Sequence, residues 1–311
     1  MILVVTGASG FIGRNVLLRA PKDWNIFAVY HSTSGLDAFV KQHGLTNVTP
    51  VKCDLMSAAD VNALSRLIGK KPDAMLYLAA NGDPAASSKR PRWDLESNTV
   101  AFVNTLEQCP ADHVVYLSSG AVYDGLTGDV KPGTPVAPTL PYAISKLASE
   151  QYLQFFCDHR GTVSSYVNVR FFGAYGPYEA ARKITTKWLQ ALARGEREFV
   201  IRGDGRNLID FMYVDDAVDG FLVLVQAKGA KLTVDFGSGT PVSIKDIVAT
   251  MAATLGVEVS VRHEGTVPEY IRFRSTDTTM RDRFGVAAAT SFADGLRRLS
   301  AFLGNQAAEA R

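Results

Sequence analysis

The chain has 311 residues, a net charge of +2, and a composition that is 47% hydrophobic and 21% charged. That balance describes an ordinary globular chain with ample length for a large core, and it argues against nucleic acid or an anionic membrane surface as the main partner. No apolar run approaches the roughly 18 residues of a membrane span. Met1 leads directly into Ile2-Leu3-Val4-Val5, which reads as a strand rather than a signal peptide. Cys53, Cys109 and Cys157 lie far apart with no C-x-x-C pair, so a reduced, cytoplasmic setting with no metal site is expected.

The first strand is fully apolar, as in a buried parallel sheet. It runs into Thr6-Gly7-Ala8-Ser9-Gly10-Phe11-Ile12-Gly13 and then a helical pattern. Glycines spaced G-x-x-G-x-x-G between a strand and a helix allow backbone amides to approach a pyrophosphate. Gly7, Ser9, Gly10, Phe11, Ile12 and Gly13 are therefore candidate dinucleotide contacts. The second strand, 26–30, ends at His31-Ser32-Thr33 with no carboxylate to grip a ribose 2′-OH. NAD and NADP both remain open, with a slight lean to NADP and with Arg14 or Lys41 as a possible cation for its 2′-phosphate.

A third strand, 48–52, ends at Cys53-Asp54-Leu55. Asp54 is placed either to meet an adenine edge or to cap a helix over 58–68. A fourth strand, 74–78, opens into the small residues Ala79 and Ala80, which would let a cofactor lie against backbone. A helical run over 93–107 contains Asn98, and a fifth strand, 114–117, leads into Ser118-Ser119-Gly120. This alternation predicts an α/β fold, a doubly wound parallel (Rossmann) sheet whose ligands bind at the carboxyl ends of the strands.

Next comes Tyr142-Ala143-Ile144-Ser145-Lys146, opening an amphipathic helix over 142–156. Residues four apart share a helix face, so the phenol of Tyr142 and the ammonium of Lys146 should point into one space. A nearby cation would lower the phenol pKa from about 10 and ready it for proton transfer.

Further helices are expected over 182–193, 214–226, 243–255 (capped by Ser243) and 292–303, with a strand over 233–236. Asp215 and Asp216 suit the dipole of their helix and read as structural. Residues 1–172 read as the dinucleotide-binding domain, with parts of 205–240 returning to it. Residues 173–303 read as mainly a substrate lobe, and 304–311 as a disordered tail.

In their order, these motifs resemble the extended short-chain dehydrogenase/reductase family, in its nucleotide-sugar epimerase/dehydratase branch, which includes UDP-glucose 4-epimerase-like proteins. The stretches that carry the likeness include the glycine turn, Asp54-Leu55, Leu78-Ala79-Ala80, Pro91 with Asn98, Ser118 to Tyr123 and Tyr142 to Lys146. Later stretches are Arg170 to Pro177, Gly203-Asp204-Gly205 and Asp210 to Asp216. The resemblance implies a catalytic Tyr142, with Lys146 binding the nicotinamide ribose and lowering the Tyr pKa. It implies that Ser119 bonds the reacting oxygen and that Asn98 completes a proton relay. It also brings Phe171 to the cofactor, and Ser119, Gly120 and Phe172 to a nucleotide-sugar substrate. Many relatives form a homodimer through the helices near 93–107 and 142–156, and the same is expected here.

Two positions depart from the family pattern. Gly173 replaces a usual Asn and Ile209 a usual Arg, both of which tend to hold the substrate's diphosphate or nucleotide in relatives. An apolar Ile cannot stand in for a guanidinium, so Arg182, Lys183, Arg206, Arg272 and Arg274 become the candidates. Gly120 and Ala121 stand where the 4,6-dehydratases carry an Asp-Glu pair, which argues against dehydration. An epimerase acting at C4 is favoured slightly over an NADPH-dependent 4-ketoreductase of a keto-deoxysugar. A reductase of a non-nucleotide ketone is a further option. A non-catalytic NAD(P)-binding sensor is the reading from another class, and it would be expected to lack Tyr142 or Lys146.

Overall fold

The computed structural model describes residues 1–266 and 272–309, giving the backbone alone for residues 272 and 307–309. Its centre is a seven-stranded sheet. In chain order the strands are β1 (Ile2–Thr6), β2 (Asn25–Tyr30), β3 (Val48–Lys52), β4 (Ala74–Tyr77), β5 (His113–Ser119), β6 (Ser165–Phe171) and β7 (Lys231–Phe236). Across the sheet they run β7-β6-β5-β4-β1-β2-β3, and every neighbouring pair is parallel. A sheet covered on both faces explains why its strands are apolar without alternation. Leu3 and Val5 belong to the core on one face and Val4 to the core on the other, all three fully buried.

The chain winds outward from β1 to β3, then crosses back to β4 on the other side of β1. That reversal opens a crevice at the carboxyl ends of β1 and β4. Thr6 pins it: its hydroxyl accepts from the backbone amides of Leu78 and Ala79, each at 3.1 Å.

The helices Ala58–Ile68 and Val214–Gln226 have the expected bounds, and Ser243 caps the helix Ile244–Leu255 by accepting from the Asp246 amide. Asp215 and Asp216 act as expected in holding structure. Asp216 accepts from the backbone of Ala289 and Thr290, and Asp215 lies 3.6 Å from Arg19. The strand β6 was not singled out in the sequence. Its neighbour β7 starts two residues earlier than expected. Asp54 does not cap the helix Ala58–Ile68: Ser57 does, accepting from the Asp60 amide. Asp54 instead turns back on the Met56 amide. The last helix, Phe292–Glu309, continues past Gly304, where a tail was expected. Residues 310–311 of that stretch lie outside the described residues.

Beyond the sheet, the helices Ile184–Ala193, Ile244–Leu255 and Phe292–Glu309 accompany a parallel pair formed by Glu198–Arg202 and Ser260–Glu264. A small third core of Val122, Tyr123 and Val130 is covered by Phe172 and Phe273.

Candidate active site

The crevice holds a cavity of about 630 Å³. Gly7, Ser9 and Gly10 form one wall, His31, Asp54 and Leu55 another, and Ala79 and Ala80 the floor. The residues fit a dinucleotide. Gly7 has φ +65°, and a Cβ at Gly13 would stand 2.5 Å from the Gly7 carbonyl oxygen, so the turn and the helix behind it close up only as glycine. The helix Phe11–Arg19 starts at Gly10 with no side-chain cap. Its first amides and the positive end of its dipole are therefore available to an anion.

Phe11, Ile12 and Gly13 form the first turn of that helix. Phe171 packs against Phe221 and Phe236, with ring centroids 5.3 and 6.0 Å apart. The end of the cavity beside β2 is lined by Tyr30, His31, Ser32 and Thr33. Arg14 is not among its lining residues: its Nε donates to the Ser9 carbonyl at 3.0 Å and its guanidinium lies over Phe39. Asn81, Trp93 and Ser97 also line the cavity. None of the three was foreseen. Asn81 could have been read as the continuation of the Ala79-Ala80 floor, but Trp93 and Ser97 carry no signal of their own.

The proposed chemical groups gather beyond Asn81. The helix Pro141–Asp158 opens with Pro at its first turn, which suits the proline's fixed φ and missing amide hydrogen. The Ser119 hydroxyl, at the end of β5, accepts from the Ala121 amide at 3.1 Å. Burial pushes the Tyr142 phenol above its ordinary pKa, Ser119 draws it down, and the Asp94 charge pushes it up again.

Burial, rather than the lowering expected from Lys146, dominates at the phenol. The Lys146 Nζ donates to the Leu117 carbonyl at 2.6 Å and lies 4.7 Å from the centroid of the Tyr116 ring. Burial lowers the Lys146 pKa to about 7, with Glu150 and Asp94 opposing that fall. Burial outweighs the local charges at both ends of the pair.

Asn98 sits in a π-helical turn, Glu96–Val100, within the helical run 91–108. Such turns commonly aim a side chain at a functional site. Its Oδ1 accepts from the Asn81 amide at 2.6 Å, and its Nδ2 donates to Asp94 and Ser145 at 3.0 and 3.1 Å. Both ends of the side chain are bonded to the frame around the site.

On the substrate side, the ring of Phe172 covers Gly120, whose added Cβ would lie 3.1 Å from it. Gly173 has φ +140°, a conformation that disfavours the usual Asn. Among the arginines proposed for a diphosphate, Arg206 pairs with Asp204 at 3.3 Å and Arg274 with Asp129 at 2.7 Å, both largely exposed. Arg182 is exposed, and the side chain of Arg272 lies outside the described residues. Ile209 packs against the main core.

A doubly wound parallel sheet with a glycine turn after β1, and Ser, Tyr and Lys gathered at the carboxyl end of β5, has the architecture of an extended short-chain dehydrogenase/reductase. Comparison with known proteins agrees. The model of the NAD dependent epimerase/dehydratase family matches residues 3–235, and the chain belongs to that family of enzymes. The UDP-glucose 4-epimerase of Mycolicibacterium smegmatis is 27% identical over 324 residues, covering 98% of this chain and 99% of that one. Among solved structures, MoeE5 in complex with UDP-glucose and NAD has a TM-score of 0.85 at 25% identity, covering 99% of this chain and 100% of that one. UDP-glucose 4-epimerase from Thermotoga maritima, with UDP-glucose, has a TM-score of 0.88 at 23% identity, covering 99% and 100% of the two chains, and shows the shared fold. No helix among the described residues is long and apolar enough to cross a membrane.

Proposed function

We propose that this chain is an NAD(P)-dependent nucleotide-sugar epimerase acting at a sugar carbinol, C4, with Tyr142 as the acid/base. The observation that carries this reading is the approach of the helix bearing Tyr142 and Lys146 to the carboxyl end of β5, where Ser119 stands: Lys146 Nζ donates to the Leu117 carbonyl, two residues before Ser119, at 2.6 Å. Two hydroxyls brought there can hold one substrate oxygen between them. Ser119 orients that oxygen, and Tyr142 takes its proton or returns it. With its pKa raised by burial, Tyr142 is built to give a proton to a ketone oxygen; taking one from a carbinol requires the phenolate.

Gly7, Ser9 and Gly10 would hold the pyrophosphate of the dinucleotide, Asp54 and Leu55 its adenine, His31 the adenosine ribose, and Lys146 the nicotinamide ribose. The bound cofactor would supply hydride acceptance and return. The Phe172 ring against Gly120 supports a site without the extra acid and base of a dehydratase.

A second reading, an NADPH-dependent 4-ketoreductase of a nucleotide-linked keto-deoxysugar, is favoured by the end of the cavity beside β2. Tyr30, His31, Ser32 and Thr33 line it, with no carboxylate among these four. One experiment separates the two. The protein is incubated with UDP-glucose and with UDP-galactose under NAD⁺ or NADP⁺, and separately with NADPH and nucleotide-linked 4-keto-6-deoxysugars. Interconversion of the first pair supports the epimerase, and NADPH consumption in the second arm supports the reductase. Inertness in both arms, across uridine, guanosine, cytidine and thymidine diphosphate sugars, sinks both readings.

A homodimer is part of the proposal. Leu95 and Val100 on the run 91–108, and Ile144, Tyr152 and Phe155 on the helix Pro141–Asp158, are large apolar side chains 44% to 47% exposed. Such a grouping on neighbouring helices supports burial against a second copy.

A further inference from the structure

Arg170 stands near the end of β6, directly across from Ser118 in the register of β5 and β6, and is buried. Its guanidinium reaches two different parts of the site. On one side it forks over Glu150: Nη2 donates to Oε2 at 2.9 Å, and Nε donates to Oε1 and Oε2 at 3.1 and 3.3 Å. On the other side Nη1 donates to the Tyr123 hydroxyl at 3.0 Å, which donates in turn to Asp235 Oδ1 at 2.9 Å.

These two partners belong to the two elements that carry the proposed chemistry. Glu150 lies on the helix Pro141–Asp158, on the face that also bears Lys146 and Tyr142 at successive four-residue steps. Tyr123 closes the short 3₁₀ turn Gly120–Tyr123, which Ser119 caps. Glu150 also accepts from the Ser118 hydroxyl. The helix is thus bonded to the end of β5 at two points, there and where Lys146 donates to the Leu117 carbonyl.

Stability by itself does not call for charges in this place. Two buried ions give up hydration that their attraction only roughly repays, and an apolar pair of like volume often holds a core as well. What the guanidinium adds is direction. Its planar fork fixes the orientation of a carboxylate while a remaining N–H holds a third group, which the point charge of a lysine cannot do.

We propose that Arg170 is a positioning residue: forked on Glu150 and bonded to Tyr123, it sets the spacing between the helix that bears Tyr142 and the turn that follows Ser119. The proposal rests on the reading of Ser119 and Tyr142 given above. The test uses the full chain and the double variant Arg170→Met with Glu150→Gln. Removing both charges avoids leaving one buried and unpaired, which is the main cost of breaking such a pair. The Gln amide oxygen can still accept from Ser118. The double variant should unfold within a few degrees of the wild type and bind NADH as tightly. On the nucleotide sugar that the wild type turns over, its kcat should fall about tenfold or more with KM nearly unchanged, as expected of a small misplacement of reacting groups. With ¹³Cζ-tyrosine labelling, the Tyr142 signal, assigned by its loss in Tyr142→Phe, should shift or broaden.

A folded double variant with wild-type kcat and an unmoved Tyr142 signal overturns the proposal. So does a fall in kcat matched by an equal loss of NADH affinity, since the whole site would then be damaged. If the double variant does not fold, Tyr123→Phe is read in the same way, because it leaves the ion pair whole and cuts the arm to the turn. A wild-type chain inert toward every nucleotide sugar, whose Tyr142 signal still moves in the variant, overturns the function proposed above and leaves this inference standing.

Discussion

The ring of Phe172 lies against residue 120, and a Cβ added to Gly120 would come within 3.1 Å of its Cδ1. The ring is held in turn by Tyr123 and Phe273, with centroids 6.4 and 6.2 Å away. An acid at position 120 would have to displace an aromatic side chain anchored on two sides. We therefore expect no 4-keto-6-deoxy product from dTDP-glucose, from the wild type or from Gly120→Asp. Mass spectrometry of the reaction mixture decides it, and appearance of the dehydrated sugar in either case contradicts the reading.

Replacing Tyr142 with Phe removes the proton but keeps the ring. Turnover should fall by roughly a thousandfold, within the range typical of general acid–base catalysis. NADH or NADPH should bind nearly as before, judged by fluorescence titration. A Tyr142→Phe protein with wild-type rates would assign the proton transfer to another group.

Gly13 tests the cofactor cradle. A Cβ there would stand 2.5 Å from the Gly7 carbonyl oxygen and 2.6 Å from Ala8 Cα. Both are backbone atoms that cannot step aside. Gly13→Ala should weaken dinucleotide binding by more than about tenfold, on the view that close helix–turn packing is what this glycine provides. Unchanged affinity in Gly13→Ala would show that the turn can open without loss.

The end of the cavity beside β2 predicts a cofactor preference. NADPH should bind more tightly than NADH, and His31→Asp should reverse the order by bringing a carboxylate toward the 2′-phosphate. Competitive titration of the two cofactors against both proteins measures this. A wild type that prefers NADH refutes it.

Asp235 gives stability a pH dependence. Burial raises its carboxyl pKa to about 6, with hydrogen bonds from Ser275 and Tyr123 and the charge of Arg170 opposing the rise. Between the ordinary carboxylate range and about 6, the unfolded chain has released this proton while the folded chain still holds it. The unfolded state therefore binds fewer protons, and this group's contribution to stability falls as pH rises through that window, by at most about 3 kcal/mol. Urea denaturation of the wild type and Asp235→Asn between pH 4 and pH 7 should show the variant lacking this component. Parallel pH profiles would remove Asp235 as its source.

The proposed dimer face is tested by Tyr152→Glu, which puts a charge where an exposed ring stands. Sedimentation should show a dimer for the wild type and a monomer for the variant. A monomeric wild type at working concentrations leaves those apolar side chains without the partner proposed for them.

Much of this protein was legible in its sequence because the signals are local. The apolar strands, the glycine turn before a helix, and the Tyr142–Lys146 spacing each depend on neighbours within a few residues. So does the helix Val214–Gln226 with its acidic first turn. Local reading failed where several residues competed for one role. Ser57 rather than Asp54 capped the helix Ala58–Ile68, because the cap goes to the residue adjoining the first turn. Gly304 was read as a stop, although its added Cβ would meet nothing within 4 Å and the helix passes through it.

The tertiary structure alone decided the electrostatics and the frame. Spacing put Tyr142 and Lys146 on one helix, but burial, with the carbonyl of Leu117 claiming the amine, set their proton affinities. Asn98 was visible as a motif residue, while its commitment to Asn81, Asp94 and Ser145 came from elements distant in the chain. A sequence states which groups are present and which share a face; desolvation and hydrogen-bond competition depend on what the fold packs around them.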